Sequence, residues 1–229
     1  MDRFAFPPPS PCSVGIAGSE QRFPVHRIYC IGRNYAEHAK EMGMTVDRAN
    51  PVFFCKPADA VVAGGGDIPY PPATSDLHHE VEMVVALGRG GTTLGPDSAL
   101  NAVFGYGVGL DLTRRDLQAA AKGKGLPWDT AKAFDRSAPV SALHRVNEVG
   151  HPNNAQLCLE VNGEVRQTAN IADMLFSAAE IIAHLSCLFE LQPGDLIFTG
   201  TPSGVGALHR GDRFVARLEN FAELRGKIV

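Results

Sequence analysis

The 229-residue chain has no C-x-x-C pair, no run of basic residues and no apolar stretch near the ~20 residues that span a bilayer. Each absence removes a class. The five cysteines (Cys12, Cys30, Cys55, Cys158 and Cys187) fit neither a zinc site nor a disulfide framework. Three of them fall inside apolar strand or helix patterns, so buried free thiols in a reducing compartment are expected. A formal net charge of −4 with no basic cluster argues against nucleic acid as the main partner. The opening "MDRFAFPPPSPCS" lacks the continuous apolar core of a secretory signal. The expectation is a cytoplasmic protein with no membrane partner. No G-x-G-x-x-G sits at a strand-to-helix junction and strands do not alternate regularly with helices, which argues against a doubly wound nucleotide fold. No internal repeat is visible.

What is present is a core and many turns. Hydrophobic residues make up 45% and charged residues 20%, a globular balance. The 24 glycines and 16 prolines favour a loop-rich, β-rich α+β protein over a helical bundle. Residues 1–22, rich in proline and serine, read as an irregular arm with room for one strand, and 23–229 as a single domain. Strands are expected at 27–32, 52–56, 77–88 and 103–111, a hairpin about Asn162-Gly163, and two closing strands near 213–219 and 224–229. Helices are expected over 34–43, near 96–102, and through "SAAEIIAHLSCLFEL". Thr113, with Asp116 three residues on, reads as the N-cap of another helix over about 114–122.

The chemistry begins at "LHHEVEMVVALG", residues 77 to 88. Glu80 and Glu82 open a strand otherwise fit for a core, and alternation places them on one face, about 7 Å apart. A solvated strand end and half of a cation site both fit these residues. Asp111, ending the strand "GYGVGLD", would complete three carboxylates from two strands; its glycines allow a backbone or a ligand to come close. An all-oxygen set suits Mg²⁺ or Mn²⁺, with Ca²⁺ a third candidate, and leaves about three octahedral positions open. His38 and Glu41, three apart, share a helix face, the arrangement of an oriented general base and equally of a surface pair. Arg33, Asn34 and Tyr35 crowd the turn before them. Lys56, Arg114, Arg115 and Lys132 are cations that an anionic substrate would need. "FTGTPSGVG" can cradle a carboxylate or form a tight turn.

Together "IYCIGRNYAEHAKEMG", "FFCKPADAVV", "HHEVEMVVALG", "GLDLTRRDLQ", "KGLPWDTAKAFDRSAPVS" and "LQPGDLIFTGTPSGVG" resemble the fumarylacetoacetate hydrolase family, in family order over about residues 27 to 206. Within it the chain looks most like the short acylpyruvate hydrolases, in particular the fumarylpyruvate hydrolases of gentisate breakdown. The resemblance implies a mixed β-sandwich roll assembled as a homodimer. It assigns the metal to Glu80, Glu82 and Asp111 and water activation to His38 and Glu41. It also places Arg33, Arg115, Gln118 and Lys132 toward a bound oxo acid, with Lys132 helping to stabilise the oxyanion, and Thr201 in the carboxylate-binding loop. His78 is left beside the site without a ligand role. The implied reaction is hydrolysis of a 2,4-dioxo acid, foremost 3-fumarylpyruvate to fumarate and pyruvate. Oxaloacetate decarboxylation and the decarboxylase or isomerase steps of aromatic meta-cleavage are the alternatives, and a non-catalytic metal-binding scaffold is disfavoured. The stretch from Gly43 to Asn50 is expected to order as a lid over substrate.

Overall fold

The computed structural model describes residues 4–41, 43, 48 and 50–229. Its centre is the Val81–Leu87 strand, in which every residue is buried. Period-two alternation sends Val81, Met83, Val85 and Leu87 into one apolar cluster and Val84 and Ala86 into another on the opposite face. Ile28–Gly32 divides in the same way, Tyr29 and Ile31 to the first cluster and Ile28 and Cys30 to the second. A sheet covered on both faces selects near-continuous apolar strands of this kind.

This sheet runs in the order Val52–Lys56, Ile28–Gly32, Leu196–Phe198, Val81–Leu87, Val103–Leu110, Ala138–Val140 and Val61–Ala63, with His144–Arg145 pairing beside Val103–Leu110. It is mixed: Leu196–Phe198 pairs parallel to Ile28–Gly32 and antiparallel to Val81–Leu87. A five-stranded sheet follows the order Glu164–Asn170, Gln156–Val161, Arg213–Leu218, Ala222–Ile228 and Gly66–Ile68. Leu157, Leu159, Phe214 and Leu224 from the five-stranded sheet and Met83, Tyr106 and Val108 from the central one share the larger cluster, so the core lies between the sheets. The architecture is strand-rich α+β, as expected. No helix among the described residues is long and apolar enough to cross a membrane.

Several local expectations change. Residues 13–24 form a two-stranded antiparallel hairpin, and its Val14, Ile16 and Phe23 join the second apolar cluster. Thr113 is not a helix cap: its hydroxyl donates to the Asp111 carbonyl at 3.1 Å, and the helix runs Arg115–Lys124 with Asp116 accepting from Thr74 Oγ1 at 2.7 Å. Of the cysteines only Cys30 is buried, while Cys55 and Cys187 are exposed. Asn162 and Gly163 make the hairpin turn with φ of 55° and 83°, as a type I′ turn requires. The glycines of Val103–Leu110 admit protein: a Cβ on Gly109 would stand 2.9 Å from both Phe198 Cε1 and the Pro139 carbonyl.

Candidate active site

The apolar strand that carries Glu82 is interrupted just before it. Leu77–His79 belongs to a separate three-stranded sheet, and Val81 begins the central one, so Glu80 falls at the step between them. The Asp111 N–H donates to the Glu80 carbonyl at 2.8 Å, which holds the ends of the two strands together. As a result one oxygen each from Glu80, Glu82 and Asp111 lies within 4.8 Å of the others, and all three residues are buried.

Cations surround this cluster unevenly. Lys132 Nζ donates to Glu80 Oε2 and Asp111 Oδ2, each at 2.7 Å. Lys56 Nζ lies 2.8 Å from Asp111 Oδ1 and also donates to the Leu112 carbonyl at 3.2 Å and to the Lys132 carbonyl. Arg115 Nη2 donates to Glu80 Oε1, and its Nη1 to Gln118 Oε1 at 2.5 Å. Glu82 makes no ion pair among the described residues; its carboxylate accepts the Gly200 N–H at 2.6 Å. Gly200 is placed there by a left-handed φ of 92° and by approach to Asn34, whose Cβ a side chain would meet at 2.6 Å.

The electrostatics follow. Burial pushes the Glu82 carboxyl up, and the neighbouring charges of Asp111 and Glu80 push it further, well above the ordinary carboxylate range. Burial opposes ionisation of Glu80 too, but Lys132 and Arg115 outweigh it and hold that carboxyl below its usual value. A buried all-oxygen cluster with one carboxylate lacking a counter-charge fits a hard divalent cation.

His38 is largely buried against the same pocket, with Nδ1 3.1 Å from Glu41 Oε2. Glu41 Oε1 accepts the Gly204 N–H at 3.1 Å, which ties the dyad to the Gly/Pro-rich loop. With Nδ1–H donating to Glu41, Nε2 keeps its lone pair. The pocket also brings together Arg33, Arg115, Gln118, Lys132 and Thr201. Arg33 adopts φ of 64°, and its buried Nε has no hydrogen-bond partner among the described residues. Asn34 holds the surroundings instead, donating to the Phe176 and Thr199 carbonyls at 2.9 and 2.7 Å. Arg114 stands apart, its guanidinium 4.4 Å over the Phe134 ring. Most of the lid stretch between Gly43 and Asn50 lies outside the described residues.

Sequence reasoning missed Gln167, Lys122, Phe54 and Trp128. Gln167 is 1% exposed. Its Oε1 accepts the Val81 N–H at 3.1 Å, which fixes the amide, and its Nε2 donates to Thr201 Oγ1 and the Pro202 carbonyl, each at 2.8 Å. A glutamine on a β-hairpin gives no sign of this from its neighbours in sequence.

The pocket so built can be set beside known proteins. Residues 27–229 match the fumarylacetoacetate (FAA) hydrolase C-terminal family model. The chain belongs to the fumarylacetoacetate hydrolase family. It is thus an enzyme of a carbon–carbon bond hydrolase family, and its fold agrees with family structures. Fumarylpyruvate hydrolase from Pseudomonas aeruginosa, solved in complex with Mn²⁺ and pyruvate, matches with a TM-score of 0.97 at 48% identity, covering 99% of each chain. Fumarylpyruvate hydrolase of a Ralstonia species is 42% identical over 80% of this chain and 96% of its own. The mitochondrial oxaloacetate tautomerase FAHD1 of Rattus norvegicus is 44% identical over 88% of this chain and 90% of its own.

Proposed function

We propose that the protein is a divalent-metal-dependent acylpyruvate hydrolase whose foremost substrate is 3-fumarylpyruvate, cleaved to fumarate and pyruvate. The observation that carries this reading is the convergence on one pocket of a three-carboxylate cluster and a histidine whose Nδ1 is held by a carboxylate. The fumarylpyruvate hydrolases among the relatives support it. Glu80, Glu82 and Asp111 would hold Mg²⁺ or Mn²⁺. Such an ion supplies Lewis-acid stabilisation of negative charge as pyruvate departs. A homodimer working in the cytoplasm is part of the same reading.

His38 Nε2 takes a proton from the water that attacks the C4 carbonyl, with Glu41 holding the imidazole. Lys132 uses two of its three N–H groups on Glu80 and Asp111, leaving the third for the oxyanion that forms at C4. Breaking the C3–C4 bond places the electron pair on the pyruvate enolate, and the His38 imidazolium returns its proton to C3. Arg33, Arg115, Gln118 and Thr201 orient the oxo acid.

A second reading is interconversion of the keto and enol forms of oxaloacetate, favoured by the similar identity of the rat tautomerase. It needs a base but no attacking water. Product analysis with Mn²⁺ and fumarylpyruvate, acetylpyruvate and oxaloacetate tests both. Fumarate and pyruvate in equal amounts from fumarylpyruvate support the hydrolase. Turnover of oxaloacetate alone would overturn it.

A further inference from the structure

The pocket continues past its carboxylate end along a line of aromatic and cationic side chains. Lys132 Nζ lies 5.0 Å from the Phe54 ring centroid, the Phe54 and Trp128 rings are 5.7 Å apart, and Lys122 Nζ lies 5.0 Å from the Trp128 ring. All four residues line the one pocket. The helix Arg115–Lys124 runs along it: Arg115, Gln118 and Lys122 recur at i, i+3 and i+7 and share a face. Arg115 meets Glu80, whereas Lys122 sits two turns further on, roughly 10 Å along the axis at 1.5 Å per residue.

Lys122 has no carboxylate or hydrogen-bond partner among the described residues. Its half-buried ammonium is held only against the indole face, and burial, with Arg115 beside it, brings it down to about 8. Glu80 pulls the other way, and Lys132 and Arg33 add further like charge. A cation crowded by cations on a pocket wall is stabilised by an incoming anion. The pocket lining carries four such cations, Arg33, Arg115, Lys122 and Lys132, against three carboxylates. A divalent ion would make the excess larger, and an oxo acid with one carboxylate would leave much of it unmatched.

From this we infer that Lys122, backed by Trp128, binds the second carboxylate of a seven-carbon oxo diacid whose first carboxylate lies at the Glu80–Glu82–Asp111 end. This rests on the acylpyruvate hydrolase reading for the orientation of the substrate. The six C–C bonds of a seven-carbon diacid, each about 1.5 Å, cover most of the distance between the two ends. The three bonds of oxaloacetate do not. Phe54 and Trp128 form the apolar middle, suited to a flat unsaturated linker.

The test measures binding and needs no turnover. Mn²⁺-loaded protein is titrated calorimetrically with 2-oxoheptanedioate and with 2-oxoheptanoate, which differ only in the terminal carboxylate and have no 4-oxo group to cleave. The wild type should prefer the diacid by about tenfold or more, the scale of a charge-assisted hydrogen bond. Lys122→Met should bring that ratio to near one while binding of 2-oxoheptanoate and oxalate persists, and Lys122→Arg should keep most of the preference. Equal affinity for the two acids in the wild type, or an unchanged ratio in Lys122→Met, overturns the subsite. If fumarylpyruvate is not hydrolysed but the ratio behaves as described, the hydrolase reading fails and the subsite stands.

Discussion

Gln167 Nε2 donates to Thr201 Oγ1 at 2.8 Å, so the threonine hydroxyl accepts on its inner side and its own proton is free for the pocket. The amide cannot be turned round, because Val81 N–H requires an oxygen at Oε1. Gln167→Glu would replace that donor with an acceptor, and the Thr201 proton would swing inward. Oxalate binding to Mn²⁺-loaded protein should weaken about tenfold, in the range of one hydrogen bond to a charged group. Mn²⁺ affinity itself should hold. Unchanged oxalate affinity would show that Thr201 does not donate to the acid.

Glu82→Gln removes the carboxylate that has no cation of its own. Mn²⁺ or Mg²⁺ binding should be lost while circular dichroism and thermal unfolding show a folded protein. Unchanged metal affinity by calorimetry would exclude Glu82 as a ligand.

The raised Glu82 carboxyl also gives a pH dependence. A carboxyl whose folded value lies above its unfolded value keeps more protons in the native state, so stability falls as pH rises from the ordinary glutamate range through the raised value. The Glu80 shift is opposite in sign and acts only at more acidic pH. In EDTA, the melting temperature should therefore fall as the pH rises above the ordinary glutamate range. Stabilisation by added Mn²⁺ should grow over the same rise in pH, since the ion replaces the proton. A Mn²⁺ effect that shrinks with pH would contradict the assignment.

How much of this was legible in the sequence depends on how far apart the partners lie. Glu80 and Glu82 stood out because acids interrupt an apolar alternation, and His38 and Glu41 because a helix brings residues three apart together. Lys122 looked like any solvated helix lysine, since only the packing of Trp128 and Phe54 puts it on a pocket wall. Gln167 reaches Val81 and Thr201 through a hairpin that closes over the strand end, which no local pattern reports. The sheet order was hidden for the same reason: Ile28 pairs with Leu196 across most of the chain. Thr113 met the capping pattern, yet its hydroxyl turned back to Asp111.

Lys56 is a structural expectation with a sign. Its buried ammonium faces Asp111, so Lys56→Met leaves that carboxylate short of a counter-charge. Unfolding free energy in the metal-free protein should drop by about 3–5 kcal/mol, as for other broken buried pairs. A change under 1 kcal/mol would mean that Lys132 alone suffices.

The proposed water-activating role separates His38 from the carboxylates. His38→Ala should slow acylpyruvate hydrolysis by about 10²–10⁴-fold while Mn²⁺ and oxalate still bind. Asp111→Asn should lose activity and metal together. If His38→Ala hydrolyses at near the wild-type rate, the dyad serves another purpose.

The central claim, that water is added across the C3–C4 bond of a fumarylpyruvate-type acid, is tested most directly by turnover in H₂¹⁸O. Fumarate formed by the Mn²⁺-loaded enzyme should carry ¹⁸O in a carboxylate, seen by mass spectrometry, because the attacking water becomes part of the new acid. Fumarate without label, or an unconsumed substrate beside rapid keto–enol conversion of oxaloacetate, would contradict it.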